Sequence, residues 1–283
     1  FLLEHNIFDA GADTVSSRPP ATPRPSDYTD PATGLLMCEV CGEPRQHHLH
    51  LPGRDRIVSC ACKCMREEWA AKEAEDKAAE ERKRIEELRK AGIPYPGLRA
   101  KTFDSSTPTR QLTQAMKYVE AWEQMREHNI GMLFWGGPGS GKTHTAACVV
   151  NALIGRGIRA GITSTADLLA VAYNDRSAEL RRLISLELLA LDDWGAERDS
   201  TYAMETVYAV IDGRLRAGRP MVITTNLSLQ DVRNPGDMAR ERIYQRVLEG
   251  CQPVGFDEPS RRPGITEEKH KILAEVFGGA SNG

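Results

Sequence analysis

The chain has 283 residues, 37 basic and 40 acidic, and a formal net charge of −3, with 27% of positions charged. That balance excludes a protein whose whole surface is given to nucleic acid, so any DNA contact has to come from a local patch. The length accommodates one α/β domain plus an appendage, and no apolar run approaches the ~18 residues of a membrane span.

The first ten residues (FLLEHNIFDA) lack the basic flank and long apolar core of a signal peptide, and no Met precedes them, which points to a trimmed chain or a fragment. Residues 1–36 read as a disordered or extended lead-in, because 12–34 are rich in Pro, Ser and Thr with little to bury. A cysteine module follows at 37–65. Five of the seven cysteines lie there, with Cys148 and Cys251 elsewhere. The pattern is C-x-x-C, eighteen residues, then C-x-C-x-C: Cys38, Cys41, Cys60, Cys62 and Cys64. Paired short-spaced thiols separated by a loop suit tetrahedral Zn²⁺ and a reducing, cytoplasmic compartment rather than a disulfide framework. Cys38, Cys41, Cys62 and Cys64 make the favoured set, since the last two directly precede a helix; Cys60 is interchangeable. His47, His48 and His50 are substitutes, and an iron–sulfur cluster is the alternative occupant. Such a site organises a small module with little core of its own.

Residues 66–92 read as a charged connecting helix, built from strong helix formers with opposite charges four apart. Its large apolar residues, Trp69, Ile85 and Leu88, make no heptad seam, so a solvated face is expected, with a partner-binding helix as the alternative. Gly92, Pro94, Pro96 and Gly97 then mark a linker. A second, larger domain is expected over 93–265 and a C-terminal helix and tail over 266–283. Within the domain, helices are expected at 109–127, 141–155, 166–174, 178–184, 200–217 and 237–249. Strands are expected at 130–136, 159–165, 186–192, 220–225 and 253–256. Apolar strands alternating with helices predict an α/β fold, a parallel sheet covered by helices on both faces.

The chemistry centres on Gly136, Gly137, Pro138, Gly139, Ser140, Gly141, Lys142, Thr143 and His144. This run fits G-x-x-x-x-G-K-[ST] between an apolar strand and a helix, the context of a phosphate-binding loop. Its backbone N–H groups and the helix start attract phosphate. Lys142 reaches the β- and γ-phosphates of ATP, and the Thr143 hydroxyl holds Mg²⁺. About fifty residues on, LELLALDDWG (186–195) ends in two carboxylates. Asp192 would hold the Mg²⁺ shell, and Asp193 would orient or deprotonate the attacking water. Asn226, closing VITTN, either contacts the γ-phosphate or the water, or caps the following helix. Arg240, Arg242, Arg246, Arg261 and Arg262 offer fixed positive charge for phosphate oxygens, or simply solvated helix faces.

GPGSGKTH, ALDDWG, ITTN and ERIYQRVLEGC-PVGF-EPSRR, in this order, resemble the AAA+ ATPases, and within them the DnaC/DnaI-type helicase loaders and their phage relatives. The resemblance covers roughly 100–262. It implies Walker A at Gly136–Thr143 and Walker B at Asp192 and Asp193. It further implies sensor 1 at Asn226, an arginine finger at Arg246 acting on a neighbour's ATP, and a sensor 2 arginine at Arg262, with Arg242 the competing finger. Ile93–Phe103 is similar to the stretch that lies near the adenine in these loaders. The cysteine module is similar to their helicase-contacting N-terminal part. Walker B departs from the usual Asp-Glu. The implied function is ATP-dependent loading of a replicative DNA helicase onto single-stranded DNA, by a protein that assembles as a homo-oligomer and uses ATP, Mg²⁺ and Zn²⁺. The rivals are a transposition helper ATPase that binds duplex DNA and a transposase, and a non-hydrolysing ATP switch.

Overall fold

A computed structural model describes residues 24–171, 174–195, 201–257, 260 and 262–277. The chain divides into two compact units, residues 1–80 and 81–283.

In the first unit, β1 (Tyr28–Thr29) pairs antiparallel with β2 (Leu36–Met37), and β3 (Gln46–Leu51) pairs with β4 (Arg54–Ser59) in a hairpin. The stretch between the thiol pairs, expected as a loop, is therefore this hairpin. Residues 24–36, expected as part of the lead-in, carry β1 and the start of β2, and Asp27 is drawn inward. Its carboxylate meets the Arg45 guanidinium at 3.1 Å, and both side chains are 1% exposed. A buried charge of this kind persists only when paired. Helix α1 (Lys63–Gly92) starts three residues before the expected boundary at 66. The Glu43 carboxylate accepts the Lys63 N–H at 2.6 Å, satisfying one orphan donor of the first turn from outside the helix. The helix also lacks a heptad seam for a simple reason. The boundary between the units falls within it: Trp69 packs against Cys38, Cys62 and Met65 in the first unit, whereas Ile85 and Leu88 belong to the second unit and pack within its core.

In the second unit the elements run α2 (Pro96–Arg99), α3 (Arg110–Glu120), α4 (Trp122–Glu127), β5 (Gly131–Gly136), α5 (Lys142–Gly155), β6 (Ala160–Ser164), α6 (Thr165–Ala170), α7 (Arg176–Ser185), β7 (Leu188–Trp194), α8 (Thr201–Arg216), β8 (Met221–Thr225), α9 (Leu229–Arg233), α10 (Met238–Gly250), β9 (Cys251–Phe256) and α11 (Arg262–Phe277). The five strands form one parallel sheet in the order β6-β7-β8-β5-β9. Successive residues point to opposite faces. Met132, Phe134, Leu188, Ala190 and Val222 enter one core with Val149, Val150 and Leu153 of α5. Leu133, Leu189, Leu191, Met221 and Ile223 enter the other with Val207 and Val210 of α8 and Val247 of α10.

Three expectations need correction. The single helix at 109–127 is two, interrupted at Ala121 (φ −89°, ψ 19°), and Trp122, 1% exposed, sits beside Tyr118 in the core. Strand β7 does not end at the acidic pair but continues to Trp194, which is 1% exposed and stacks edge-on to Tyr244 at 4.7 Å. The helix expected over 166–174 ends at Ala170, and residues 172–173 lie outside those described.

Because β7, β8 and β5 are adjacent and parallel, their carboxyl ends lie side by side. That single fact of topology brings the 136–143 loop, the 192–193 pair and Asn226 to one edge, where open α/β sheets bind ligands.

Candidate nucleotide site

The loop leaves β5 at Gly136 and enters α5 at Lys142. Gly136 (φ 141°) passes so close to β9 that a Cβ there would meet the Phe256 carbonyl oxygen at 2.4 Å. No other residue fits. Gly139 (φ 79°) and Gly141 (φ 103°) take left-handed turns that leave the intervening backbone free to bend round a phosphate. The Ser140 hydroxyl donates to the Gly137 carbonyl at 2.8 Å and pins the bend.

Lys142 is 5% exposed. Its ammonium donates to the carbonyls of Gly136 (2.9 Å) and Gly137 (2.8 Å) and to Asn226 Oδ1 (2.8 Å). The lysine of the loop and the polar tip of β8 are thus in direct contact. The Thr143 hydroxyl donates to Asp192 Oδ1 at 2.9 Å, and the Thr224 hydroxyl donates to the same oxygen at 2.5 Å. Burial pushes the Asp192 carboxyl above its ordinary range, and these two hydrogen bonds oppose that rise. Asp193 is exposed and holds a positive φ of 54°. Its N–H donates to Thr224 Oγ1 at 3.0 Å. Thr224 is a residue that motif reading passes over; the available signal is two buried threonines closing an apolar strand.

His144 Nε2 lies 2.6 Å from Ser106 Oγ, and the Asn151 amide donates to the carbonyls of Leu98 (2.8 Å) and Lys101 (2.9 Å). The segment 93–103 is thereby tied to α5. Thr102, Phe103, Cys148 and Asn151 help to line a cavity of about 320 Å³ between them.

The arginines separate. Helix α10 follows β8 and leads into the amino end of β9, so it returns along the sheet away from the phosphate loop. Arg246, on its last turns, pairs with Asp212 at 3.3 Å and Glu249 at 2.8 Å. It shares a cavity of about 350 Å³ with His128 and Asn129, which precede β5. Arg246 therefore stands at the opposite end of the sheet from its own Lys142. Arg242 is exposed, and Arg240 pairs with Asp237 at 3.3 Å. Arg261 lies outside the described residues; Arg262 opens α11, and its side chain is outside those described.

The protein-family model described as IstB-like ATP binding protein matches residues 70–263, more than half of the chain. The chain belongs to the IstB-like ATP binding proteins. This family member is 30% identical over 141 residues to the uncharacterized protein YdaV of Escherichia coli (strain K12), covering 47% of this chain and 56% of YdaV. It is 29% identical over 168 residues to the replicative helicase loader DnaC of the same strain, covering 56% of this chain and 66% of DnaC. The chain thus spans between half and two thirds of the length of these relatives. Among solved structures, the crystal structure of DnaI matches with a TM-score of 0.50 and 20% identity, over 57% of this chain and 93% of DnaI. That likeness is one of fold, the AAA+ P-loop fold of a parallel sheet flanked by helices, here in an IstB-like ATP-binding domain.

The five clustered cysteines, Cys38 to Cys64, lie outside the span of the IstB-like match. Cys38, Cys41, Cys62 and Cys64 bring their sulfurs within 4.8 Å of one another, and among the described residues they form the one cluster of three or more Cys, His, Asp or Glu side chains placed to share a metal. Cys62 and Cys64 are 3.3 Å apart, and Cys38 and Cys64 3.5 Å. Four thiolates at about 2.3 Å from a tetrahedral metal stand roughly 3.8 Å from each other, so the donor set fits. Cys60 is not in the group; its thiol donates to the Pro44 carbonyl at 3.3 Å. His47, His48 and His50 lie on the exposed β3 strand, where His50 pairs with Asp55 at 2.9 Å.

Proposed function

We propose that this chain is an ATP-hydrolysing loader that places a replicative DNA helicase on single-stranded DNA. The observation that carries the reading is the convergence of Lys142, Thr143, Asp192 and Asn226 at one sheet edge, in a chain similar to a helicase loader. The units assigned to the task are a metal module at 37–65, the helix at 66–92, and the ATPase at 93–265.

The phosphate loop and Lys142 bind the β- and γ-phosphates. The Thr143 hydroxyl and Asp192 would hold Mg²⁺, which when bound would supply neutralising positive charge at these phosphates. Asp193 and Asn226 position the water that attacks the γ-phosphate in line. Lys142, Arg262 and a neighbouring subunit's Arg246 balance the charge that spreads over the transferring group. Ile93–Phe103 borders the adenine. Among the described residues no helix is long and apolar enough to cross a membrane, and we place the protein in the cytoplasm.

The test is steady-state phosphate release with and without single-stranded DNA, alongside co-purification with candidate helicases. DNA-independent turnover and no helicase association overturn the loader. Asp193→Asn should leave nucleotide affinity intact and slow turnover by about 10²–10⁴, the range of a lost general base. Normal turnover there removes Asp193 from the mechanism.

Zn²⁺ is the ion proposed for the four thiols, one per chain, with Cys60 outside the set. Metal analysis of reduced Cys62→Ser protein should show no zinc, while Cys60→Ser retains it. Zinc lost from both variants would place Cys60 among the ligands, and a visible iron absorption band would replace the zinc assignment.

A transposition helper that binds duplex DNA and a transposase is the second reading, favoured by the IstB-like family itself. Turnover stimulated by duplex rather than single-stranded DNA selects it.

A further inference from the structure

Strand β7 is irregular where the acidic pair sits. Leu191 pairs with Ile223 and Trp194 with Thr225, so Asp192 and Asp193 together oppose the single residue Thr224. This is a β-bulge, which re-aims side chains at the cost of ladder hydrogen bonds. The lost bonds are replaced by hydroxyls. Thr224, fully buried, accepts the Asp193 N–H at 3.0 Å and donates its own proton to Asp192 Oδ1 at 2.5 Å. Thr165, 2% exposed, donates to the Asp193 carbonyl at 2.9 Å. Thr225, fully buried, donates to the Trp194 carbonyl at 2.6 Å.

We propose that Thr224 is a positioning residue for the acidic pair, its one hydroxyl setting the orientation of the Asp192 carboxylate and the left-handed backbone of Asp193 together. This rests on the ATPase reading above. A non-glycine residue at positive φ persists only where its surroundings over-determine it. Here both polar groups of the Asp193 peptide backbone are taken by buried threonines from two other elements, β8 and α6. The same Thr224 oxygen that holds the backbone of Asp193 aims the carboxylate of Asp192, so the two acids cannot drift independently. Thr143 reaches Asp192 from the phosphate loop on the same oxygen. The Mg²⁺-holding and water-positioning functions therefore share one hydroxyl as their common support.

The test compares Thr224→Val with Thr224→Ser in the full chain. Valine keeps the shape and suits a buried strand; serine keeps the hydroxyl. Nucleotide affinity at saturating Mg²⁺, the Mg²⁺ concentration for half-maximal nucleotide binding, kcat and the melting temperature are read for each. Thr224→Val should bind nucleotide normally at saturating Mg²⁺. It should need about tenfold or more Mg²⁺ for half-maximal binding and lose about ten- to hundredfold in kcat, the scale of hydrogen bonds to a charged group. Thr224→Ser should restore both. An unchanged Mg²⁺ requirement and kcat in Thr224→Val, or a Thr224→Ser variant as impaired as the valine one, overturns the proposal. Should valine lower the melting temperature sharply, the serine variant and the Mg²⁺ titration decide. Asp192→Asn separates the two levels. If it needs no extra Mg²⁺ and turns over normally, the acidic-pair reading itself fails. If it is impaired while Thr224→Val is not, the positioning role alone fails.

Discussion

Lys142→Ala protein should show no measurable ATP binding while remaining folded. The Lys142 ammonium is the mobile charge of the phosphate loop, and it already meets three oxygens, two loop carbonyls and Asn226 Oδ1, within 2.9 Å. Two charged hydrogen bonds to phosphate, at about 1.5–3 kcal/mol each, correspond to roughly 10²–10⁴ in affinity. The fold has less at stake, since the carbonyls released from Lys142 belong to a loop that water can reach. Titration with a fluorescent nucleotide, paired with a melting curve, checks both halves. Unchanged affinity in a folded variant would overturn the phosphate-loop assignment.

Arg246→Ala should leave nucleotide affinity of dilute protein near normal while assembly-dependent hydrolysis falls by about 10³ or more, the low end of what a trans-acting arginine supplies. The position of Arg246 makes this sharp. It is held by Asp212 and Glu249 at the far end of the sheet from Lys142, so its own nucleotide is out of reach. Mixing Arg246→Ala with Lys142→Ala protein should recover part of the activity, because each variant retains the half-site the other lacks. No recovery at any ratio, together with weakened binding by dilute protein, would place Arg246 in the core or its own site, and the trans role would pass to exposed Arg242.

The phosphate loop was legible because its function is local: glycines, lysine and hydroxyl sit within eight consecutive residues between a strand and a helix. The parallel α/β sheet was legible from apolar runs spaced by helical ones. Strand order was not read from the sequence, and it is strand order that sets Asn226 against Lys142, 84 residues apart. Nor was the bulge at Asp192 and Asp193, which depends on Trp194 being pulled into the core beyond the carboxylates. The burial of Asp27 against Arg45 also depends on a contact distant in sequence, to which composition and spacing are blind.

The left-handed backbone at Asp193 bears on which sequences this position accepts. Aspartate and asparagine tolerate that conformation better than longer side chains do. A glutamate there, the commoner partner of a Walker B aspartate, would gain a methylene of reach but enter a backbone suited to a shorter acid. That backbone is held at its N–H by Thr224 and at its carbonyl by Thr165, so a longer acid introduced there would meet a conformation fixed by its neighbours rather than by itself.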